Sequence, residues 1–149
     1  MWDIGEQIHD ASKKLKISFE VLTQQEKEKI EEGVFKEYIN NGRTFPLFEK
    51  LNDFVGIDVP ESWTWINDFI QGDCCVLFFN PDDEKDFYKF LNGEDLVSVI
   101  NEIFNVEFYV TNYNADYLLG YNHSQCLVAS GRAAAWLEQY PRYKTRYGK

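Results

Sequence analysis

The chain is poor in the residues that most site chemistry uses. Its 149 residues include three cysteines, two histidines and one methionine. Cys74, Cys75 and Cys126 form no CxxC pair and no even disulfide framework. Neighbours on a strand point to opposite faces, so Cys74 and Cys75 are badly placed to share one metal. All three are expected to be reduced and mostly buried, which implies a cytoplasmic protein. The sequence offers no zinc-type ligand spacing. Phosphate-binding loops, Rossmann glycines, nucleophile elbows and HExxH are also missing. No metal or cofactor is therefore expected. No stretch approaches the ~20 apolar residues of a membrane span. The start, Met-Trp-Asp-Ile-Gly-Glu, lacks a basic region followed by an apolar run, so no signal peptide is expected.

Positive charge is scarce as well. The formal net charge is −10, which repels nucleic-acid phosphates and anionic lipid and suits a basic partner. Residues 142–149 hold four of the 15 basic side chains and no acid, so the preceding residues set 11 bases against 25 acids, or −14. That short basic segment is expected to fray, as termini do.

Apolar and aromatic residues are plentiful, at 44% and 17%, too many for a disordered chain. One domain spanning residues 1–149 accounts for the length. Ile4, Ile8, Ala11 and Leu15 repeat at helical spacing. Residues 17–22 read as a short extended link. Thr23-Gln24-Gln25-Glu26 matches a capping box, which predicts a helix with Ile30, Val34 and Tyr38 inward and a stop at Asn40-Asn41-Gly42. Pro46 is expected to open a short helix burying Leu47, Phe48, Leu51, Phe54 and Val55. Pro60 opens another that ends near Gly72.

The pattern then changes. Residues 74–79 are a continuous apolar run of strand length, followed by a turn at Asn80-Pro81-Asp82-Asp83 and a second strand at 87–90. Asn92 caps a helix with Leu96, Val97, Ile100, Ile103 and Phe104 inward. Strands follow at 106–111, 117–121 and 126–130, the last two as a hairpin. A final helix over 132–140 stops at Pro141. Helices first and strands second predict an α+β fold: a largely antiparallel sheet of about five strands in the C-terminal half, packed against N-terminal helices and a C-terminal helix.

Two groups stand out as candidate partner-binding residues. Asp82, Asp83, Glu84 and Asp86 place four carboxylates on one hairpin tip, a docking site for Lys and Arg. They lack the central glycine and alternating ligands of a calcium loop. Tyr109, Tyr113 and Asp116 combine stiff aromatic area with charge. If Phe108 and Val110 face the core, alternation exposes Tyr109, unless a helix covers that face too. Asp53, Asp58 and Glu61 form a second acidic patch. His123 and Cys126 are the best nucleophile–base pair, although a turn histidine and a buried cysteine explain them more simply.

Val59-Pro60-Glu61-Ser62-Trp63-Thr64-Trp65-Ile66 resembles the proline-then-aromatic helix entry of the SUKH superfamily, many of whose bacterial members are immunity proteins of polymorphic toxin systems. The stretch from Phe108 through Leu137, with Tyr121-Asn122-His123-Ser124, Ala129-Ser130-Gly131 and Trp136-Leu137, is similar to the C-terminal part of small bacterial proteins of this length. The resemblance implies an immunity or antitoxin-like role. The expectation is a non-enzymatic acidic binding protein that covers a basic effector such as a nuclease toxin. The alternatives are an enzyme using His123 with Cys126 or a carboxylate, and a homo-oligomeric adaptor.

Overall fold

A computed structural model describes residues 3–39, 45–103 and 106–147. The first helix, α1 (Ile4–Leu15), begins where the Asp3 carboxylate accepts the Glu6 N–H at 3.0 Å. It ends where Lys16 turns left-handed, at φ 58°. Ile4, Ile8 and Ala11 are buried as their spacing predicts, but Leu15 is exposed. The link that follows is a strand, β1 (Phe19–Val21). The capping box forms at α2 (Gln24–Tyr38): the Glu26 N–H donates to Thr23 Oγ1 at 3.2 Å, and the Thr23 N–H donates to Glu26 Oε1 at 2.9 Å. The predicted stop at residues 40–42 lies outside the described residues.

The expected helix from Pro46 does not form. Leu47 is fully buried, and its N–H is taken by Tyr109 Oη at 3.1 Å. After a turn, Val55–Ile57 is a strand, β2, whose backbone groups join a ladder instead of a helix. Phe54, expected inside, is 55% exposed. Pro60 then opens a 3-10 helix (Pro60–Trp65), which runs directly into α3 (Ile66–Ile70).

The second half follows the sequence pattern closely. It holds β3 (Cys75–Phe78), β4 (Tyr88–Phe90), α4 (Gly93–Ile100), β5 (Phe108–Thr111), β6 (Tyr117–Tyr121), β7 (Leu127–Gly131) and α5 (Arg132–Gln139). Asn92 caps α4, accepting the Asp95 N–H at 2.8 Å. Ile103 falls beyond this helix, and Phe104 lies outside the described residues. Pro141 does not end the chain's order. It opens α6 (Pro141–Tyr147) in the segment expected to fray.

The fold is α+β, with one antiparallel seven-stranded sheet in the order β1-β4-β3-β5-β6-β7-β2. The five strands of the second half form its centre. Two short strands from the first half form its edges: β1 falls within the expected extended link, whereas β2 replaces the expected end of a helix.

Alternation gives this sheet two apolar faces. Cys75, Leu77, Phe108, Val110 and Leu119 face one core beneath α1, α3, α4 and α5. Val76, Phe78, Tyr109 and Leu118 face a second core beneath α2 and residues 45–51. Helical or irregular chain therefore covers both sides, as a sheet with two apolar faces requires. Gly120 marks how closely the second cover approaches. A Cβ there would lie 2.6 Å from Phe48 Cε1.

Candidate functional site

The strand register decides which candidate residues can act together. Phe78 pairs with Tyr109 and Val76 with Thr111. The exit of β3 therefore lies at the entry of β5. The acidic 79–87 connection and the β5–β6 turn at 112–116 consequently sit at opposite ends of the sheet. The two predicted partner-binding groups do not form one surface.

At the first end, Asn80 organises the tip. Its carbonyl accepts the Asp83 N–H at 2.8 Å and the Glu84 N–H at 3.1 Å, and its side chain accepts the Asp82 N–H at 3.0 Å. Asp82, Asp83 and Asp86 are exposed. Glu84 is half-buried and already engaged: it accepts the Asp86 N–H at 2.9 Å and bonds the buried Tyr88 hydroxyl. The tip thus offers three outward carboxylates, not four.

The aromatic group changes more. Tyr109 is 1% exposed, lying between Phe48 and Phe78 in the second core, so it cannot contact a partner. Alternation placed it on the second face, as expected. The cover over that face buries it. Tyr113 is half-buried, and its hydroxyl donates to Glu26 Oε2 at 3.2 Å beneath the Lys89 ammonium. Burial, and Glu26 after it, pushes the Tyr113 phenol up to about 12. The side chain braces the start of α2. Asp116 is exposed on the β5–β6 turn, where its carboxylate accepts from Asn112 Nδ2 at 3.0 Å.

His123 and Cys126 are not joined. At the exposed His123 it is the backbone that is held: its main-chain N–H donates to Glu107 Oε2 at 3.0 Å. His123 edges a cavity of about 210 Å³ with Trp63, Asn101, Phe108, Tyr121 and Gln125, which Cys126 does not line. The Cys126 thiol contacts the Ser124 carbonyl at 3.7 Å, and burial, then Asp58, raises its pKa. That disfavours the thiolate a nucleophile needs. Burial pushes the Cys75 thiol up to about 12. Cys74, expected inside, is exposed. Among the described residues no group of three His, Cys, Asp or Glu side chains could hold a metal. Nor is any described helix long and apolar enough to cross a membrane.

The site that sequence reasoning missed lies at the sheet end shared by Asp116. Tyr117 pairs with Gly131, and Val55 pairs with Ala129. The β5–β6 turn, the exit of β7 and the entry of β2 therefore meet. They frame a cavity of about 490 Å³ lined by Glu37, Tyr38, Asp53, Phe54, Gly131 and Glu138, among others. No Lys or Arg among the described residues lines it.

Each part is held from behind. Tyr38 Oη donates to the Ala115 carbonyl at 2.6 Å, and the Asp53 carbonyl accepts from Ser130 Oγ at 2.8 Å. Gly131 takes φ 67°, and a Cβ there would lie 2.5 Å from Tyr38 Oη. Burial, followed by the charges of Glu37 and Asp116, pushes the Tyr38 phenol up to about 12, against the pull of Arg132. The cavity is thus lined by three carboxylates, those of Glu37, Asp53 and Glu138, with an exposed ring, Phe54, at its rim. It adjoins β2, an outer strand. Among the described residues no backbone–backbone bond reaches Val55–Ile57 except the ladder with β7.

Asp53 was the legible part of this site, but its companions in sequence go elsewhere. Asp58 pairs with Arg146 at 2.7 Å, and Glu61 with Arg142 at 3.7 Å. The signal that could have found the site was Val55-Gly56-Ile57 after the polar Asn52-Asp53, a short strand read as the end of a helix. No protein-family model matches the chain, and no curated protein or solved structure matches it.

Proposed function

We propose that this protein is a non-catalytic binding protein for a basic partner, an immunity or antitoxin-like protein that covers a basic effector such as a nuclease toxin. The observation that carries the reading is the cavity at the β2 edge. Glu37, Asp53 and Glu138 surround a space large enough for an arginine or lysine side chain, with Tyr38 and Phe54 to flank its apolar stem. An edge strand beside such a cavity suits an extended segment that adds main-chain bonds to β2 while its basic side chain enters the carboxylates. A second copy of this chain fits less well, because its own acidic edge would be repelled. Asp82, Asp83 and Asp86, at the other end, add to the field that steers a basic partner inward. The SUKH-like segment and a cytoplasmic setting, where the three cysteines stay reduced, belong to the same reading.

The test is recovery of the partner from host extract on immobilised protein at low salt, with elution by salt. A basic protein should be retained and then released between about 0.05 and 0.5 M salt, as screening shortens the field. The triple change Glu37→Lys, Asp53→Lys and Glu138→Lys should abolish retention while thermal stability stays near wild type. Retention of no basic protein, or equal retention by the triple variant, would refute the reading.

A further inference from the structure

The acids at Asp58 and Glu61 already hold a ligand, and it is a piece of this chain. Arg142 and Arg146 stand one turn apart on α6, the spacing at which helical side chains share a face. They face Glu61 and Asp58, at 3.7 and 2.7 Å. Tyr147 Oη donates to Asp58 Oδ1 at 3.4 Å, and the Arg142 guanidinium lies 5.3 Å from the Trp65 ring.

The two sides of this contact are unequal. Asp58 is set between the buried Ile57 and Val59, and the Pro60 carbonyl accepts Tyr121 Oη at 2.6 Å. Trp65 is buried and stacked on Tyr140. The acidic side is thus rigid and anchored in the first core. By contrast, α6 buries no residue fully, and only Tyr143 is half-buried against the first core. All four ion-pair side chains are about half exposed, between 46% and 55%.

We infer that the Asp58–Glu61–Trp65 surface is a receptor for a helix bearing arginines four residues apart, and that α6 occupies it in cis as a displaceable cover. Through two exposed ion pairs and one cation–π contact, Arg142 and Arg146 weight the closed form by only about 10–100-fold, and half-buried Tyr143 and the Tyr147 hydrogen bond add to that. A competing helix therefore meets an open receptor at most a few per cent of the time, and its apparent affinity is lowered by that fraction. Complementary geometry on the partner would replace Arg142 and Arg146 pair for pair. The inference rests on the basic-partner reading, but it concerns the opposite end of the sheet from the β2-edge cavity.

The experiment uses the full chain and a synthetic helix of four Arg-Tyr-Ala-Ala repeats, followed by calorimetry and by hydrogen exchange of the α6 amides. Arg142→Ala with Arg146→Ala should bind the probe at least ~10-fold more tightly than wild type. A charge-matched control, Lys13→Gln with Lys16→Gln, should bind as wild type. Adding Asp58→Asn and Glu61→Gln to the arginine variant should erase the gain. In the wild type, saturating probe should speed exchange across α6. Equal probe affinity in the wild type, arginine variant and control, or α6 exchange unchanged by saturating probe, would overturn the inference. If the probe instead loses binding only when Glu37, Asp53 and Glu138 are reversed, the β2-edge site stands and the receptor under α6 does not.

Discussion

Replacing Tyr109 with Phe removes a single oxygen from the second core and separates a packing role from a contact role. The ring stays, and with it the stacking on Phe48 and Phe78 at centroid distances of 5.0 and 5.2 Å. What is lost is the acceptor for the Leu47 N–H, at 3.1 Å, in a place where Leu47 is 0% exposed and no water can substitute. A buried donor left without a partner costs about 1–3 kcal/mol. For a chain of this length each kcal/mol lowers Tm by about 2–4 °C, so the expected fall is about 2–12 °C. Tyr109→Ala also removes the ring and should cost about 3–5 kcal/mol. Thermal and urea denaturation measure both, with an unchanged urea slope confirming that only stability moved. Partner affinity of the Phe variant, measured well below its Tm, should equal wild type. If the Phe variant melts within 1 °C of wild type and instead loses partner affinity by about 10-fold, the hydroxyl is a surface contact. The placement of Tyr109 would then be wrong.

Three further outcomes follow from the same packing. Gly120→Ala should cost about 1–3 kcal/mol by crowding the Phe48 ring. A double-mutant cycle should show that cost falling in a Phe48→Ala background, and an undiminished cost would mean that the backbone, not the ring, is at fault. Tyr38, Tyr113 and Tyr140 are pushed up to about 12, burial being the largest cause in each. The unfolded chain ionises these phenols first, near pH 10. Their contribution is therefore complete below pH 10 and is lost as pH rises toward 12. Ultraviolet titration alongside alkaline unfolding should show Tyr38→Phe with a shallower loss than wild type, and an identical loss would exclude Tyr38 from it. Among the thiols, the exposed Cys74 should react first with a thiol reagent at neutral pH, Cys126 slowly, and the buried Cys75 only on unfolding. A fast Cys126 would revive the nucleophile it was considered for.

Local pattern carried most of the second half of the fold. The apolar run at residues 74–79, the alternation at 108–111 and the turn at 122–124 specify strands because their side-chain period is a property of neighbours. The capping box at Thr23 and Glu26 is equally local: both partners lie within one turn. The edges were less legible for the opposite reason: residues 17–22 read as extended but not as a sheet strand, and 55–57 read as the end of a helix. Val21 and Val55 become strand residues only because β4 and β7, 67 and 74 positions away in their pairings with Tyr88 and Ala129, supply the ladder. Nothing within three residues of Pro46 says that Tyr109 will take the Leu47 N–H.

The acidity of the chain was determined by sequence alone, and so were the antiparallel strand-rich half, the first helix and the acidic turn at Asp82–Asp86. Only the tertiary structure decided what those charges do. It separated the Asp82 tip from Asp116 by the length of β5, hid Tyr109 under residues 45–51, and gave Asp58 and Glu61 to the arginines of α6. It also gathered Glu37, Asp53 and Glu138 from three distant segments around one cavity. Charge and periodicity are sums over near neighbours and can be read along the chain. A binding site is an arrangement in space, set by strand register and by which element covers which face, and the contacts that fix both are long-range.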